Sequence, residues 1–209
     1  MNLLVIGGTS GVGLELVKLA LERGHFVTAS SRNVDRVELK HPALKLAAGN
    51  ILKAEDMQRL INGKDAVVSA IGLSAGSSDV TLFSEGAKVI LPIMKELGVQ
   101  RLISISAIGA GDSEGHGGFW FDHLLHPFIL EDDIQDKTRQ EKLIGNSKLD
   151  YTIVRPAILS DDGGQGRYWV ITKLDGLETG KIARKDVAHF IMAALEQMLY
   201  LRETVILTD

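Results

Sequence analysis

The stretch Gly7-Gly8-Thr9-Ser10-Gly11-Val12-Gly13 constrains this chain more than any other feature. It follows Leu3-Leu4-Val5-Ile6, a run whose length and apolar composition predict a buried strand. After it Leu14, Val17 and Leu21, with Leu16 and Ala20, recur at helical spacing until Gly24. Glycines at a strand-to-helix junction let the backbone turn tightly and approach a phosphate, whose charge meets the free N–H groups opening the helix. A glycine pattern alone is weak, and the spacing Gly7, Gly11, Gly13 departs from G-x-G-x-x-G. The strand before and the helix after supply the context a dinucleotide site requires.

The same alternation continues down the chain. Strands are predicted at Phe26–Ala29, Leu44–Ala47, Ala66–Ala70, Leu102–Ser106, Tyr151–Val154 and Thr204–Leu207. Helices are predicted over about 80–97, 132–144 and 185–200. Short apolar runs alternating with helices imply βαβ units, hence an α/β fold with a doubly wound parallel sheet of Rossmann type. At 209 residues the chain suits a single domain. Two stretches break the rhythm: one around 107–130, with five glycines between Gly109 and Gly118, and one around 157–182. Both leave carboxyl ends of strands, where open α/β sheets bind ligands, so both are expected to be substrate loops.

Composition excludes several classes. There is no cysteine, so disulfides, thiolate clusters and a thiol nucleophile are ruled out. A net charge of -4 argues against a nucleic-acid partner. No apolar run reaches the roughly 20 residues of a membrane span, and no signal-peptide pattern is visible. A soluble, cytoplasmic protein is expected, as monomer or homodimer. Gly111-Asp112-Ser113-Glu114-Gly115 fits G-x-S-x-G but lacks the strand and helix that a nucleophile elbow needs. Asp122, His123 and His126 are too few for zinc, so no metal site is expected.

The loop with Gly7, Gly11 and Gly13 resembles that of the short-chain dehydrogenase/reductase superfamily. The remaining pieces are similar to its atypical, NmrA-like branch, which includes flavin and biliverdin reductases. They are Ala29-Ser30-Ser31-Arg32-Asn33, Ala48-Gly49-Asn50-Ile51, Val68-Ser69-Ala70-Ile71-Gly72, Gly98-Val99-Gln100-Arg101 leading into Ser104-Ile105-Ser106, Leu149 to Pro156, and Ile182 to Ala188. The resemblance covers nearly the whole chain. It implies cofactor contacts from Gly7, Thr9, Ser10, Gly11, Val12, Gly13, Ser31, Arg32, Asn50, Ile51, Ser69, Ala70, Ile71, Gly72 and Pro156. It also implies Ser106 and Lys137 beside the nicotinamide. Two departures stand out. Asn50 replaces the family's usual Asp, and Asp133 stands where the Tyr of a Tyr-x-x-x-Lys pair would stand, four residues before Lys137.

On physical grounds Ser106 can polarise a carbonyl, or it can satisfy local backbone. Lys137 can equally be a solvated helix lysine. NADP is favoured over NAD, because strand two ends in Ser30-Ser31-Arg32 with no acid before Asp35. An arginine there suits a 2′-phosphate, which it binds through two parallel hydrogen bonds. Of 11 aromatic residues, Phe119, Trp120, Phe121 and Phe128 cluster after strand five, and Tyr168 and Trp169 after strand six. Phe119, Trp120, Tyr168 and Trp169 are therefore expected to clamp a flat substrate, although such clusters also pack satellite cores. The expectation is an NADP-dependent oxidoreductase passing hydride to a small planar acceptor such as a flavin or quinone. The alternative is a non-catalytic dinucleotide-binding redox sensor acting through a protein partner.

Overall fold

The alternation of side chains along the first strand sets the layers of the molecule. In β1 (Asn2–Ile6), Leu3 and Val5 point to one face while Leu4 and Ile6 point to the other, and all four are buried. A strand apolar on both faces needs helices on both faces. The computed structural model describes residues 1–35, 37–72, 81–115, 131–174 and 179–209. Among these residues the main sheet has eight strands in the order β3-β2-β1-β4-β5-β6-β10-β8. These are β2 (Phe26–Ser31), β3 (Leu44–Ala48), β4 (Ala66–Ser69), β5 (Arg101–Ile105), β6 (Asp150–Pro156), β8 (Trp169–Ile171) and β10 (Glu203–Thr208) around β1. Neighbours pair in parallel except β8, which runs antiparallel to β10 at the edge. The α/β, doubly wound expectation holds.

Helices α1 (Gly11–Glu22) and α5 (Arg184–Glu196) cover one face. Their core joins Leu16 and Val17 with Phe190 and Ile191 over Leu3, Val5, Ile103 and Val154. On the other face lie α2 (Ala54–Ile61), α3 (Leu82–Glu96) and α4 (Glu131–Gly145), with Met57, Ile61, Ile90, Met94 and Ile144 over Leu4, Ile6 and Leu102. Among the described residues no helix is long and apolar enough to cross a membrane.

Three elements escape the sequence pattern. Helix α2 buries only Met57, Leu60 and Ile61 among polar neighbours, too brief a period to read. The stretch expected to be an irregular loop at 157–182 holds three short strands: β8, and the parallel pair of β7 (Ile158–Ser160) with β9 (Lys181–Ala183). The last helix ends at Glu196 rather than near Tyr200. Met198, Tyr200 and Arg202 turn to positive φ, and the buried Arg101 guanidinium donates to the carbonyls of Ala194 and Leu199, both at 3.1 Å. A side chain from β5 thus satisfies carbonyls that a longer helix would have used.

The start of α3 is also satisfied from a distance. Its N-cap residue Thr81 makes no side-chain cap bond, and Asp136 of α4 accepts the N–H groups of Phe83 at 2.7 Å and Ser84 at 3.1 Å. This locks α3 against α4 and aligns the residue next to Asp136, Lys137.

Candidate functional site

Chain order reverses direction across β1: β2 and β3 lie to one side, β4 to the other. At such a switch point the loops leaving adjacent strands diverge and a crevice opens. A cleft of about 870 Å³ lies there. Its floor is the glycine loop. Gly7 has φ +83°, and its N–H donates to the Ser30 carbonyl at 2.7 Å. A Cβ on Gly7 would strike the Ala70 carbonyl, and one on Gly13 would strike the Gly7 carbonyl. Gly13 thereby lets α1 pack directly on the loop. It does not itself line the cleft.

Gly7, Thr9, Ser10, Gly11 and Val12 line the cleft beside the start of α1, while Ser31, Arg32, Asn50 and Ile51 line it from the ends of β2 and β3. Ala70, Ile71 and Gly72 line it after β4, and Pro156 at the end of β6. Ser69 is buried at the end of β4 and is not in the lining. The Asn50 side chain accepts from the Leu52 N–H at 3.1 Å, while its own N–H is held by Asp56 at 2.9 Å. These two bonds fix the turn after β3.

At the far end stand Ser106 and Lys137. Ser106 follows β5, and its backbone N–H continues the ladder to Val154 at 2.7 Å. Its hydroxyl is buried and has no hydrogen-bond partner among the described residues. A buried hydroxyl left in that state normally meets a ligand or water. Lys137 is no solvated lysine. Its Nζ lies 3.8 Å from the centroid of the Phe83 ring. Burial pulls its pKa down to about 8, although Asp133, Glu141 and Asp136 pull the other way. Two of those carboxylates are engaged elsewhere. Glu141 holds Arg155 through bonds of 3.0 and 2.6 Å, and Asp136 holds α3. Asp133, at the position where the resemblance expects tyrosine, is not in the lining, and burial raises its pKa.

The aromatic clamp is corrected in part. Tyr168 packs on α5, where its hydroxyl meets His189 Nδ1 at 2.9 Å and its ring packs edge-on against Phe190. Trp169, on the edge strand β8, is 71% exposed. Neither lines the cleft. Phe119, Trp120, Phe121 and Phe128 lie outside the described residues, as do Asp122, His123 and His126. Ser113 of the G-x-S-x-G match is fully buried in a 3-10 turn, donating to the Ala110 carbonyl at 2.7 Å, and is no nucleophile.

Several lining residues were not anticipated. Leu82, Ile108, Ile158 and Leu159 make apolar walls, and Arg184 enters from the start of α5. Ile158 and Leu159 were invisible because β7 was read as loop. Arg184 stands in the resembling segment Ile182 to Ala188 but carried no signal of its own. Among the described residues lining the cleft there are three cations, Arg32, Lys137 and Arg184, and no carboxylate. In a chain of net charge -4 this lining is locally rich in positive charge, although Arg184 pairs with Asp161 outside it.

Comparison with known proteins agrees. The family model described as NAD(P)H-binding matches residues 7–198. The photosystem II assembly factor Ycf39 of Synechocystis is 26% identical over 215 residues, 98% of this chain but 61% of its own length. A protein of Bacillus subtilis named as an uncharacterized sugar epimerase, YhfK, is 28% identical over 204 residues, 94% of this chain and 89% of its own. The fold is that of ChuY, described as an anaerobilin reductase of Escherichia coli O157:H7 (TM-score 0.84, 22% identity, 100% of this chain and 97% of that one). It is also that of a Veillonella parvula short-chain dehydrogenase/reductase in complex with NADP (TM-score 0.85, 15% identity, 100% and 94%).

Proposed function

We propose that this chain, which belongs to the NAD(P)H-binding family, binds NADP in the switch-point cleft and serves as an oxidoreductase toward a small, planar, largely apolar acceptor. The observation that carries this reading is the cleft's charge. Three cations are strung along the lining of a crevice whose floor is a glycine turn too tight to admit a Cβ at Gly7. NADP adds a third phosphate to the pyrophosphate it shares with NAD. Arg32, beyond β2, has no ion pair among the described residues and stands at the ribose end to receive it. The glycine loop and the first N–H groups of α1 would hold the pyrophosphate, Asn50 and Ile51 the adenine end, and Ala70 to Gly72 with Pro156 the nicotinamide half.

When bound, the dinucleotide supplies hydride chemistry; the chain supplies position and electrostatics. The unpartnered Ser106 hydroxyl donates to a developing oxyanion on the acceptor. Lys137 places a positive charge at the same end. Leu82, Ile108, Ile158 and Leu159 exclude water and offer flat apolar contact to the acceptor. The redox-sensor reading keeps one specific support, that the residue at the expected tyrosine position, Asp133, is not in the cleft lining.

Calorimetric titration tests the first step. NADP should bind more tightly than NAD, by about tenfold or more, and Arg32→Ala should remove most of that margin. Equal affinities in the wild type would end the NADP assignment. Oxidation of NADPH with flavins and quinones then separates the two readings, since a sensor binds without turnover.

A further inference from the structure

Arg184 opens α5, whose N-terminal end lies beside that of α1. Its side chain lines the cleft, and its Nε lies 3.9 Å from the point where a Cβ on Gly11 would sit. The guanidinium therefore stands against the first residue of α1, where the family's glycine loop exposes its N–H groups. Both helices direct the positive ends of their dipoles to this spot. The guanidinium's one described ion pair is with Asp161, at 2.7 Å, and the Asp161 side chain is 90% exposed. An exposed carboxylate on a loop after β7 is a weak partner, because water solvates it almost fully whether or not it is paired. Independently, the buried Ser106 hydroxyl in the same cleft lacks a partner among the described residues. A hydroxyl in that position is free to donate to a molecule bound in the cleft.

We infer that Arg184 is a further phosphate ligand of the dinucleotide, held by Asp161 until the pyrophosphate displaces that carboxylate. The inference rests on the proposed NADP site and assigns the charge at its middle. Arg32 serves the ribose end of the cleft and Lys137 the nicotinamide end; among the described residues, Arg184 alone faces the point where the pyrophosphate meets α1. A planar guanidinium matches two phosphate oxygens, and a diphosphate presents them to it better than one carboxylate that water already satisfies. Asp161 is then a competitor. It holds the cation until the dinucleotide arrives and then leaves for solvent, at little cost because it is already exposed. No covalent step is involved.

The test is binding of NAD and NADP by calorimetry at low salt, with melting curves to verify folding. Arg184→Ala should weaken both dinucleotides by the same factor, about tenfold or more, because both carry the pyrophosphate. Arg32→Ala should weaken NADP alone. Asp161→Asn removes the competitor and should tighten both dinucleotides by a few-fold, the gain fading as salt screens the pair. Arg184→Lys keeps the charge and loses the fork, so it should fall between wild type and Arg184→Ala. Undiminished binding by a folded Arg184→Ala variant would overturn the inference, and so would a loss confined to NADP. If Asp161→Asn weakens binding as Arg184→Ala does, the pair shapes the cleft and is no competitor, which also overturns it. A wild type that binds neither dinucleotide would instead remove the underlying reading.

Discussion

The two ends of the cleft are built from different materials. At the nucleotide end glycine backbone shapes the floor: Gly7, Gly11 and Gly49 line it, and Gly13 brings α1 down onto Gly7. At the acceptor end the surface is side chain, and side chains from distant parts of the chain brace it. Arg155 at the end of β6 takes both oxygens of Glu141, one turn beyond Lys137 on α4. It also donates to Asp112 in the turn after β5, at 2.5 Å. The Arg155 and Glu141 side chains are 5% and 8% exposed. A backbone surface can hold only a ligand whose phosphates come close to peptide N–H groups, so it fixes the cofactor. A side-chain surface can be rebuilt residue by residue, so on the proposed reading this end would set the choice of acceptor.

The largest expected effect comes from breaking the brace. Glu141→Ala leaves the Arg155 guanidinium buried with only Asp112, whose side chain is 77% exposed. Removing one partner of a buried ion pair costs about 3–5 kcal/mol, chiefly the penalty of the charge left behind. Urea unfolding measures it. Replacing both partners, as in Arg155→Met with Glu141→Leu, should cost less than Glu141→Ala alone, because no charge is then orphaned. A double variant as unstable as the single one would show that the pair stabilises by more than satisfying itself.

The same contrast explains what could be read from the sequence. Gly7, Gly11 and Gly13 act within seven residues, and the strand and helix beside them announce their own periods, so the nucleotide end was legible. Arg155, Glu141 and Asp112 meet across separations of 14 and 43 residues, and nothing local distinguishes them from surface charges. Arg184 and its partner Asp161 are 23 apart. Strands β7 and β9 have three residues each, too few for a period of two to show. Tyr168 misled for a related reason. An aromatic residue after a strand end can face the cleft or the core, and the His189 and Phe190 contacts that turn it to the core come from α5.

A smaller effect is expected at the nucleotide end, and it should be divided differently. Gly13→Ala drives a methyl group into the Gly7 carbonyl. Gly7 cannot retreat freely, since its N–H is held by Ser30 and it abuts Ala70. Overpacking of this sort costs about 1–3 kcal/mol. The strain falls on the loop whose N–H groups would face the pyrophosphate, so dinucleotide affinity should drop about tenfold or more as well. Glu141→Ala should show the opposite balance, with a large loss of stability and nearly native affinity for NADP in the fraction that stays folded. Were Gly13→Ala to keep native affinity, the view of the nucleotide end as a backbone cradle would fail.

The smallest effect, and the most diagnostic, belongs to Lys137, beside Ser106 at the far end of the cleft. Its side chain is half-buried against Phe83, and desolvation pulls its pKa down to about 8 from the ordinary lysine value of 10.5. Between those two values the unfolded chain binds more protons than the folded one, so this group makes stability rise with pH from about 8 to 10.5. Below pH 8 the ammonium is charged in both states and the folded protein carries its burial cost in full. Lys137→Met should therefore stabilise the protein at pH 7, by about 1 kcal/mol once the water in an open cleft is allowed for, and abolish the rise above pH 8. Binding should move the other way. In the wild type, affinity for NADP should be level up to about pH 8 and fall by a few-fold beyond it as the cation is lost. Lys137→Met should bind more weakly at pH 7 and show no bend. A residue whose removal gains stability and loses affinity is there for the ligand, and paired melting and titration curves from pH 6.5 to 10 would display both signs. If the variant is less stable at pH 7 and binds NADP as well as the wild type, Lys137 is packing against Phe83 and nothing more.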